Sequence, residues 1–328
     1  MNPPRGSALR GAGCCTLARF RPRSGALQSK PLARWLGILL LVVISIVFGS
    51  NHVAARFAFE HGANVATAVA FRSCAALLFV LVLLLANRVP FALPGATRVR
   101  GVAIGLLLLV QSYCIFSAVA RLPVALALLA FNTYPIVITL LTWWFDGTRP
   151  SRLALIAMPV VLAGLALALD VGGWSGRGTA GFAGRWDEIG AGVLFACGAS
   201  LSFSAAMYLT TRWLKGVDGR LRTFLATGTI AVVMVAGGTL AGAFALPVDG
   251  AGWLGLALMG LCYAAAVTSL FVVLPRMEVV SDLGALNIEP IAVLVLGWML
   301  LGQAMAPVQI AGAAIVVGGI LALGAGKR

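Results

Sequence analysis

Charge is scarce in this chain of 328 residues, and acidic residues are the scarcest: Asp and Glu number 10, against 24 Lys and Arg. Only 10% of the residues are charged, whereas 61% are hydrophobic. A water-soluble domain of this composition would have too few polar side chains to cover its surface. The composition therefore excludes a soluble globular protein and indicates a membrane protein.

Patterns for metal, nucleotide and catalytic sites are also missing. Neither histidine (His52, His61) and none of the six cysteines has metal-ligand spacing, and no disulfide framework is indicated. Residues 176–181 read G-x-G-x-x-G, but no strand and no βαβ unit surround them. P-loop, H-E-x-x-H and G-x-S-x-G motifs are absent. We therefore expect no cofactor, no metal and no enzymatic activity, and we favour secondary transport over ATP-driven pumping.

Long apolar runs follow one another along almost the whole chain. A helix of about 20 apolar residues crosses the ~30 Å hydrocarbon core of a bilayer. The sequence predicts an all-α polytopic membrane protein with ten transmembrane helices, at residues 36–58, 66–86, 101–120, 123–145, 152–170, 189–211, 223–246, 252–274, 282–301 and 307–325.

The basic residues are distributed unevenly among the predicted loops. Seven of them precede the first span, and no acid occurs before Glu60. With the N-terminus in the cytoplasm, 19 of the 24 Lys and Arg fall in inside loops and tails and 4 in outside loops. Cytoplasmic loops are enriched in Lys and Arg. The net charge of +14 thus predicts orientation in an inner (plasma) membrane, with both termini cytoplasmic, rather than nucleic-acid binding.

A single offset of 155 residues relates two halves of the chain. Two halves of five spans each cross the membrane in opposite senses, which predicts two inverted five-helix repeats with a substrate site near the midplane where they meet. Residues paired by this offset include Gly105/Gly260, Phe116/Phe271, Arg121/Arg276, Asn132/Asn287, Pro135/Pro290 and Trp143/Trp298.

The repeat sets the predicted domain organisation. The N-terminal tail is either disordered or a targeting segment. The segments are a tail at 1–33, a first repeat at 34–170, a polar Gly-rich linker at 171–188, a second repeat at 189–325 and a C-terminal tail at 326–328.

Two small-residue motifs, Gly101-x-x-x-Gly105 and Gly238-x-x-x-Gly242, allow close helix approach. They join helices either within one molecule or between two, so a homodimer stays open as a partner alongside the lipid bilayer and a small-molecule substrate.

Six stretches have a recognisable pattern, and each half of the chain contributes to it: FGSNHVAARFAFEHG (48–62), AFRSCAALLF (70–79), NTYPIVITLLTWWFDG (132–147), NIEPIAVLVLGWMLLG (287–302), VVLAGLALAL (160–169) and IVVGGILAL (315–323). These stretches resemble the EamA-type repeat of the drug/metabolite transporter superfamily. The resemblance implies ten helices, cytoplasmic termini and transport of small metabolites, often outward. Where family repeats commonly carry Gly-Glu after the fourth and ninth spans, this chain has Gly147-Thr148 and Gly302-Gln303.

Two charged residues lie inside predicted spans, Arg72 and Glu289. A charged side chain at a helix centre costs ~2.5–3.5 kcal/mol on insertion scales, so such residues are functional candidates. Glu289 is a substrate-facing or proton-carrying acid, a partner of an arginine, or a protonated carboxyl bonded to a neighbouring helix. Arg72 matches the arginine of the family's second-span motif, and either attracts an anionic group of the substrate or pairs structurally.

Proline and asparagine recur together in the fourth and ninth spans. Pro135 and Pro290 lack an amide N–H, which predicts a kinked or partly unwound segment and a plausible hinge in each half. Asn132 and Asn287 lie beside these breaks. The alternative is a packing kink without ligand contact.

Further polar residues are candidates for a pocket lining, although each alone is more often a helix–helix hydrogen bond. They are Asn51, His52, Gln111, Tyr113, Tyr134, Tyr208 and Tyr263.

Together these features predict a secondary active transporter that works by alternating access, with proton coupling left open. Its substrate would be a small metabolite, an amino acid by resemblance, and its direction efflux. A flippase for lipid-linked substrates and a membrane scaffold or enzyme are the alternatives.

Overall fold

The computed structural model describes residues 34–170, 182–273, 289–303 and 305–325. Every regular element in these ranges is an α-helix. In chain order the helices are α1 (Arg34–Glu60), α2 (Val65–Ala86), α3 (Gly95–Arg121), α4 (Val124–Phe131), α5 (Tyr134–Asp146), α6 (Arg152–Ala168), α7 (Phe182–Trp213), α8 (Gly219–Leu240), α9 (Gly250–Val273), α10 (Glu289–Leu301) and α11 (Pro307–Ala325).

Most of these helices match the predicted spans. Seven segments are long and apolar enough to cross a membrane, and one of them, Val124–Asp146, combines α4 and α5. Three more apolar helices have 10–17 residues: Arg152–Ala168, Ile291–Leu301 and Pro307–Leu321. The prediction of a helical multi-pass membrane protein is confirmed. Its ten spans correspond to seven long helices and three shorter ones among the described residues.

The outer faces of the helices expose large apolar side chains. Trp144 is 86% exposed and Leu240 is 89% exposed. Water-soluble monomers rarely expose extended apolar patches, whereas lipid acyl chains solvate such groups. A helix satisfies its own backbone hydrogen bonds, which is the condition for spanning hydrocarbon.

Local signals in the sequence fix several helix ends. Asn64 caps α2, since its side chain accepts a 2.9 Å hydrogen bond from the amide of Thr67. Ser151 caps α6 in the same way, by accepting 3.1 Å from the amide of Ala154. Gly147 ends α5 with φ +67°, a left-handed conformation that glycine adopts without a steric cost. α7 begins at Phe182, within the predicted linker.

The most extensive helix contacts join α3 to α7, α1 to α9, α6 to α11 and α2 to α8. Glycines allow some of these approaches. A Cβ on Gly105 of α3 would lie 2.7 Å from Cβ of Thr229 on α8, and one on Gly101 would lie 2.5 Å from Cδ1 of Leu225. The Gly101-x-x-x-Gly105 motif therefore packs two helices of the same molecule.

At one end of the helices, the α1–α2 connection is hydrogen-bonded to the α8–α9 connection. Nδ2 of Asn64 donates to the carbonyl of Ala243 at 2.7 Å, and the Thr67 hydroxyl donates to that of Ala245 at 2.7 Å. The amide of Val248 donates to the carbonyl of His61 at 3.0 Å. We call this group of contacts the closed end.

Further polar contacts join other helices at the same end. Arg56 on α1 donates to the carbonyls of Val119 and Ala120 at the end of α3, at 3.0 and 2.9 Å. Oε1 of Gln303, after α10, accepts a 3.1 Å hydrogen bond from the amide of Val124, the first residue of α4. That amide belongs to the group of helix N-terminal N–H donors without an intrahelical partner, so Gln303 satisfies it from another helix.

Candidate functional site

A cavity of about 600 Å³ lies among the helices. Its wall contains residues of α1, α2, α3, α4, α5, α7, α8, α9 and α10. Eight of the eleven residues expected at the site from the sequence lie in this wall: Asn51, His52, Arg72, Gln111, Asn132, Tyr134, Tyr263 and Glu289.

Arg72 is the most constrained charged group in the cavity wall. It is 6% exposed and is the one charged residue of helix α2. One guanidinium nitrogen, Nη2, donates to Oγ of Ser112 on α3 at 2.7 Å. The guanidinium carbon lies 4.1 Å from the ring centroid of Tyr263 and 5.0 Å from that of Phe116, a cation–π arrangement that suits the planar arginine head. The Nε atom is buried without a hydrogen-bond partner.

Glu289 and His52 face each other across the cavity wall. Oε1 of Glu289, the first residue of α10, lies 3.7 Å from Nε2 of His52 on α1. The His52 ring centroid is 5.4 Å from that of Phe116, and Nδ1 of His52 has no hydrogen-bond partner. A carboxyl and an imidazole at this separation form an ion pair when both are charged.

Asn51 precedes His52 and is fully buried. Neither its Oδ1 nor its Nδ2 has a hydrogen-bond partner. A buried polar group without a partner costs about 1–3 kcal/mol. Asn51, His52 and Arg72 therefore bring polar atoms without a hydrogen-bond partner into one cavity wall.

The fourth span is broken where the sequence places Asn132 and Pro135. α4 ends at Phe131 and α5 begins at Tyr134, with Pro135 in its first turn. Nδ2 of Asn132 donates back to the carbonyl of Leu128 at 2.7 Å. The Asn132 amide is thereby turned toward its own helix, although the residue remains in the cavity wall.

Hydroxyl groups supply hydrogen bonds at this break. Ser204 on α7 donates to the carbonyl of Tyr134 at 3.1 Å. The hydroxyls of Thr133 and Ser200 lie 3.2 Å apart, and Thr133 also donates to the carbonyl of Ala130 at 2.8 Å. Such side chains satisfy backbone groups that an interrupted membrane helix frees.

Two expected site residues, both among the described residues, lie outside the cavity wall. Tyr113 is 43% exposed on the outer face of α3. Tyr208 on α7 instead donates to Oδ1 of Asp146 at 2.7 Å, and Arg212 pairs with the same carboxylate. Asn287 lies outside the described residues. Of the two expected hinges, Pro135 lies at the break just described, and Pro290 is the second residue of α10.

Sequence reasoning missed Ser112 and Arg222, both of which line the cavity. Ser112 directly follows Gln111, which is one of the candidates, and this position in the sequence could have identified it as a pocket residue. Arg222 was assigned to a cytoplasmic loop and counted only toward orientation. Among the described residues, no group of three His, Cys, Asp or Glu side chains is arranged to hold a metal ion.

The fold and the cavity define a multi-pass helical membrane protein with an internal cavity, in whose largely apolar wall a few charged and polar side chains are placed. Residues 35–169 match the model of the EamA-like transporter family, which lies within the drug/metabolite transporter superfamily. The match to this family indicates membrane transport. The match confirms the resemblance read from the sequence of the first half.

Comparison with solved structures also returns matches. One, described only as the crystal structure of a protein, covers 88% of this chain and 96% of its own, with a TM-score of 0.60 and 20% sequence identity. At this identity the likeness shows a shared fold alone. No curated protein matches the chain.

Proposed function

We propose that the protein is a secondary active transporter that moves a small metabolite across the inner membrane by alternating access. The observation that carries the proposal is the set of buried polar atoms without partners in one cavity wall, on Asn51, His52 and Arg72. Polar groups at membrane depth are costly and mark substrate paths. A substrate that hydrogen-bonds to these atoms offsets that cost.

The packing of the helices supports two inverted repeats. With α1–α6 and α7–α11 as the two halves, the offset of 155 residues makes α1 the counterpart of α7, α2 of α8 and α3 of α9. If each helix is replaced by its counterpart, the α3–α7 contact becomes the α9–α1 contact, and the α3–α8 contact becomes the α9–α2 contact. All four of these contacts are present. The α2–α8 and α6–α11 contacts join counterparts directly. This pattern of contacts is the one expected of inverted repeats, which are typical of transporters that alternate between two openings.

The two ends of the helices differ in a way that favours one of those openings. The cavity extends to Thr210 and Leu214 near the end of α7 and to Gly219 at the start of α8. The contacts of the closed end lie at the other end of α8. The distribution of basic residues predicts that the α7–α8 connection is on the cytoplasmic side. With that orientation, this arrangement supports a state open to the cytoplasm and closed to the outside.

Glu289 is the proposed coupling group. It is the one carboxylate among the described residues of the cavity wall, and it lies at the junction of α10 with α1. Protonation would remove its charge and with it any ion pair to His52, which gives proton binding a direct effect on the contact between two helices. The substrate we favour is an amino acid or a related compound, and the direction we favour is export.

The function is tested in proteoliposomes. Labelled amino acids and related metabolites are offered with and without a proton gradient, and we expect gradient-driven accumulation of at least one. The matched variants are Met207→Trp, which fills the cavity wall, and Met299→Trp, which lies on an outer face with 65% exposure. Loss of uptake in the first and retention in the second are expected.

The same vesicles test the alternatives. Accumulation of no solute would overturn the proposed function, and equal uptake by both variants would exclude the cavity as the transport path. Movement of a labelled lipid between leaflets in the absence of solute uptake would point to a flippase instead.

A further inference from the structure

A second arginine lines the cavity near its open end. Arg222 is in the first turn of α8, and its Nε atom is buried without a hydrogen-bond partner. No ion pair to it occurs in the part of the chain that the structure describes. An arginine is always charged and presents its N–H groups in a planar fork, so Arg222 offers positive charge and unused donors to whatever enters.

The acid nearest to Arg222 in the sequence, Asp218, forms no ion pair with it. Asp218 is bound instead by Arg220, whose Nε donates at 3.1 Å to Oδ1 and whose Nη2 donates at 2.9 Å to Oδ2. The amide of Arg220 also donates to Oδ1 at 2.8 Å. The side-chain hydrogen bond from Arg220, with a smaller contribution from the charge of Arg222, holds the pKa of Asp218 below its ordinary value. Both carboxylate oxygens are thus already engaged.

Most hydroxyl donors in the same wall are used within the fold. Thr223 donates to the carbonyl of Gly219 at 3.1 Å, Thr227 to that of Thr223 at 2.8 Å, and Thr210 to that of Ala206 at 2.6 Å. The charged donors still available in the described wall are therefore the two guanidinium groups, of Arg222 toward the open end and of Arg72 deeper in. The one carboxylate there, Glu289, lies beside His52.

We propose that Arg222 forms an entrance subsite for the anionic group of the transported metabolite, ahead of Arg72, so that the cavity selects small organic anions and zwitterions over cations. The inference rests on the proposed function and adds to it a substrate class and a second binding residue. A cluster of one sign of charge in a low-dielectric cleft raises the capture rate of oppositely charged solutes, and added salt weakens this effect.

The probes are four compounds with closely similar branched alkyl groups. Leucine carries a carboxylate and an ammonium group, leucinamide lacks the carboxylate, 4-methylpentanoate lacks the ammonium, and 3-methylbutyl phosphate replaces the carboxylate by a phosphate. Binding is measured as the concentration midpoint of thermal stabilisation in detergent. Capture is measured as the initial uptake rate at subsaturating concentration into proteoliposomes.

Arg222→Gln is compared with two other variants. Arg220→Gln removes the same charge from a position two residues earlier, whose side chain does not line the cavity. Arg222→Lys keeps the charge but not the planar fork. We expect the carboxylate or phosphate probes to stabilise the wild-type protein and leucinamide to do so poorly. Arg222→Gln should lower the capture rate of anionic probes about tenfold at low ionic strength, and less at high ionic strength. It should also raise their binding midpoint several-fold. Arg220→Gln should do neither, and Arg222→Lys should retain part of the effect.

Several outcomes would overturn the subsite. They are equal effects of the Arg222 and Arg220 variants, leucinamide binding as tightly as leucine, or no stabilisation by any anionic probe. Failure of the transport function gives a different pattern: anionic probes bind, and Arg222→Gln still raises their midpoint, but no probe accumulates in vesicles.

Discussion

Arg72 on α2 and Ser112 on α3 are joined by a hydrogen bond of 2.7 Å from Nη2 to Oγ. This bond and the flanking rings of Tyr263 and Phe116 hold the guanidinium in one orientation. The Nε atom is left without a partner. The geometry makes Ser112 a positioning residue for the group that we expect to contact the substrate.

Removing the Ser112 hydroxyl should therefore weaken substrate binding without removing the charge. A hydrogen bond to a charged group contributes about 1.5–3 kcal/mol, which sets an upper range of roughly 10- to 100-fold in affinity. We expect Ser112→Ala to raise the substrate dissociation constant up to tenfold and Arg72→Lys to raise it more, since lysine lacks the planar fork. Binding isotherms in detergent measure both.

Ser73→Ala is the control for this prediction, because Ser73 is a buried neighbour whose hydroxyl donates only to carbonyls of its own helix. An Ser112→Ala variant that binds as well as Ser73→Ala would contradict the positioning role.

Glu289 and His52 should determine how transport depends on pH. Glu289→Gln keeps the size of the side chain but cannot carry a proton, so gradient-driven accumulation should fall at least tenfold and its pH profile should flatten. Exchange of labelled for unlabelled substrate, which needs no net proton movement, should persist. His52→Gln should retain coupling but move the midpoint of the profile, because it removes the group 3.7 Å from the carboxyl. Initial rates at a series of pH values measure these effects.

Glu60→Gln is the matched control, since Glu60 is an exposed acid at the end of α1 that pairs with Arg56. Its profile should equal that of the wild type. A wild-type pH profile in Glu289→Gln would exclude Glu289 as the coupling group.

Hydropathy and local signals were sufficient to predict most of the fold. Ten apolar runs gave the helices, and Asn132 with Pro135 marked the break between α4 and α5. The charged residues Arg72 and Glu289 predicted the position of the cavity. An ionisable group is costly in the hydrocarbon core, so one found at that depth usually faces a cavity or a partner.

The rotation of each helix was not predictable. In water a polar face identifies the exposed side of a helix, but lipid and protein interior are both apolar, so hydropathy does not separate them. Gln111 and Tyr113 on α3 are two residues apart and thus about 200° apart around the helix. Gln111 lines the cavity, whereas Tyr113 is 43% exposed on the outer face. Arg222 was not predicted because it lies at the end of α8 beside a basic loop. There an arginine is expected for membrane orientation, so its charge did not indicate a site.

Close packing of α3 against α8 should make Gly105 sensitive to substitution. A Cβ there would lie 2.7 Å from Cβ of Thr229, too short for a real contact, so the helices must separate. Overpacking of this kind costs about 1–3 kcal/mol, and we expect Gly105→Val to lower the Tm by several degrees. Gly237→Val is the control, since nothing lies within 4 Å of a Cβ at that helical position. Equal Tm losses would show that helix propensity, and not packing, sets the cost.

The closed end should open when its hydrogen bonds are removed. Asn64 both caps α2 and donates to the carbonyl of Ala243, and Thr67 donates to that of Ala245. Asn64→Ala combined with Thr67→Val removes both side-chain bonds between the two connections, so the population open at this end should rise. Each net hydrogen bond contributes about 0.5–1.5 kcal/mol, so losing two corresponds to a shift of roughly 5- to 150-fold. The measure is the labelling rate of a cysteine at Ser45 in the cavity wall, by an impermeant thiol reagent added to the outside of cells in a background without native cysteines.

Ser151→Ala separates this effect from the loss of a helix cap. Ser151 caps α6 through the amide of Ala154, as Asn64 caps α2, but it makes no contact with the closed end. Both changes remove a cap worth about 1 kcal/mol, and only the Asn64/Thr67 variant should increase labelling from outside. Equal labelling in the two variants would mean that the bonds between the α1–α2 and α8–α9 connections do not hold this end shut, and the proposed state, closed to the outside, would have to be revised.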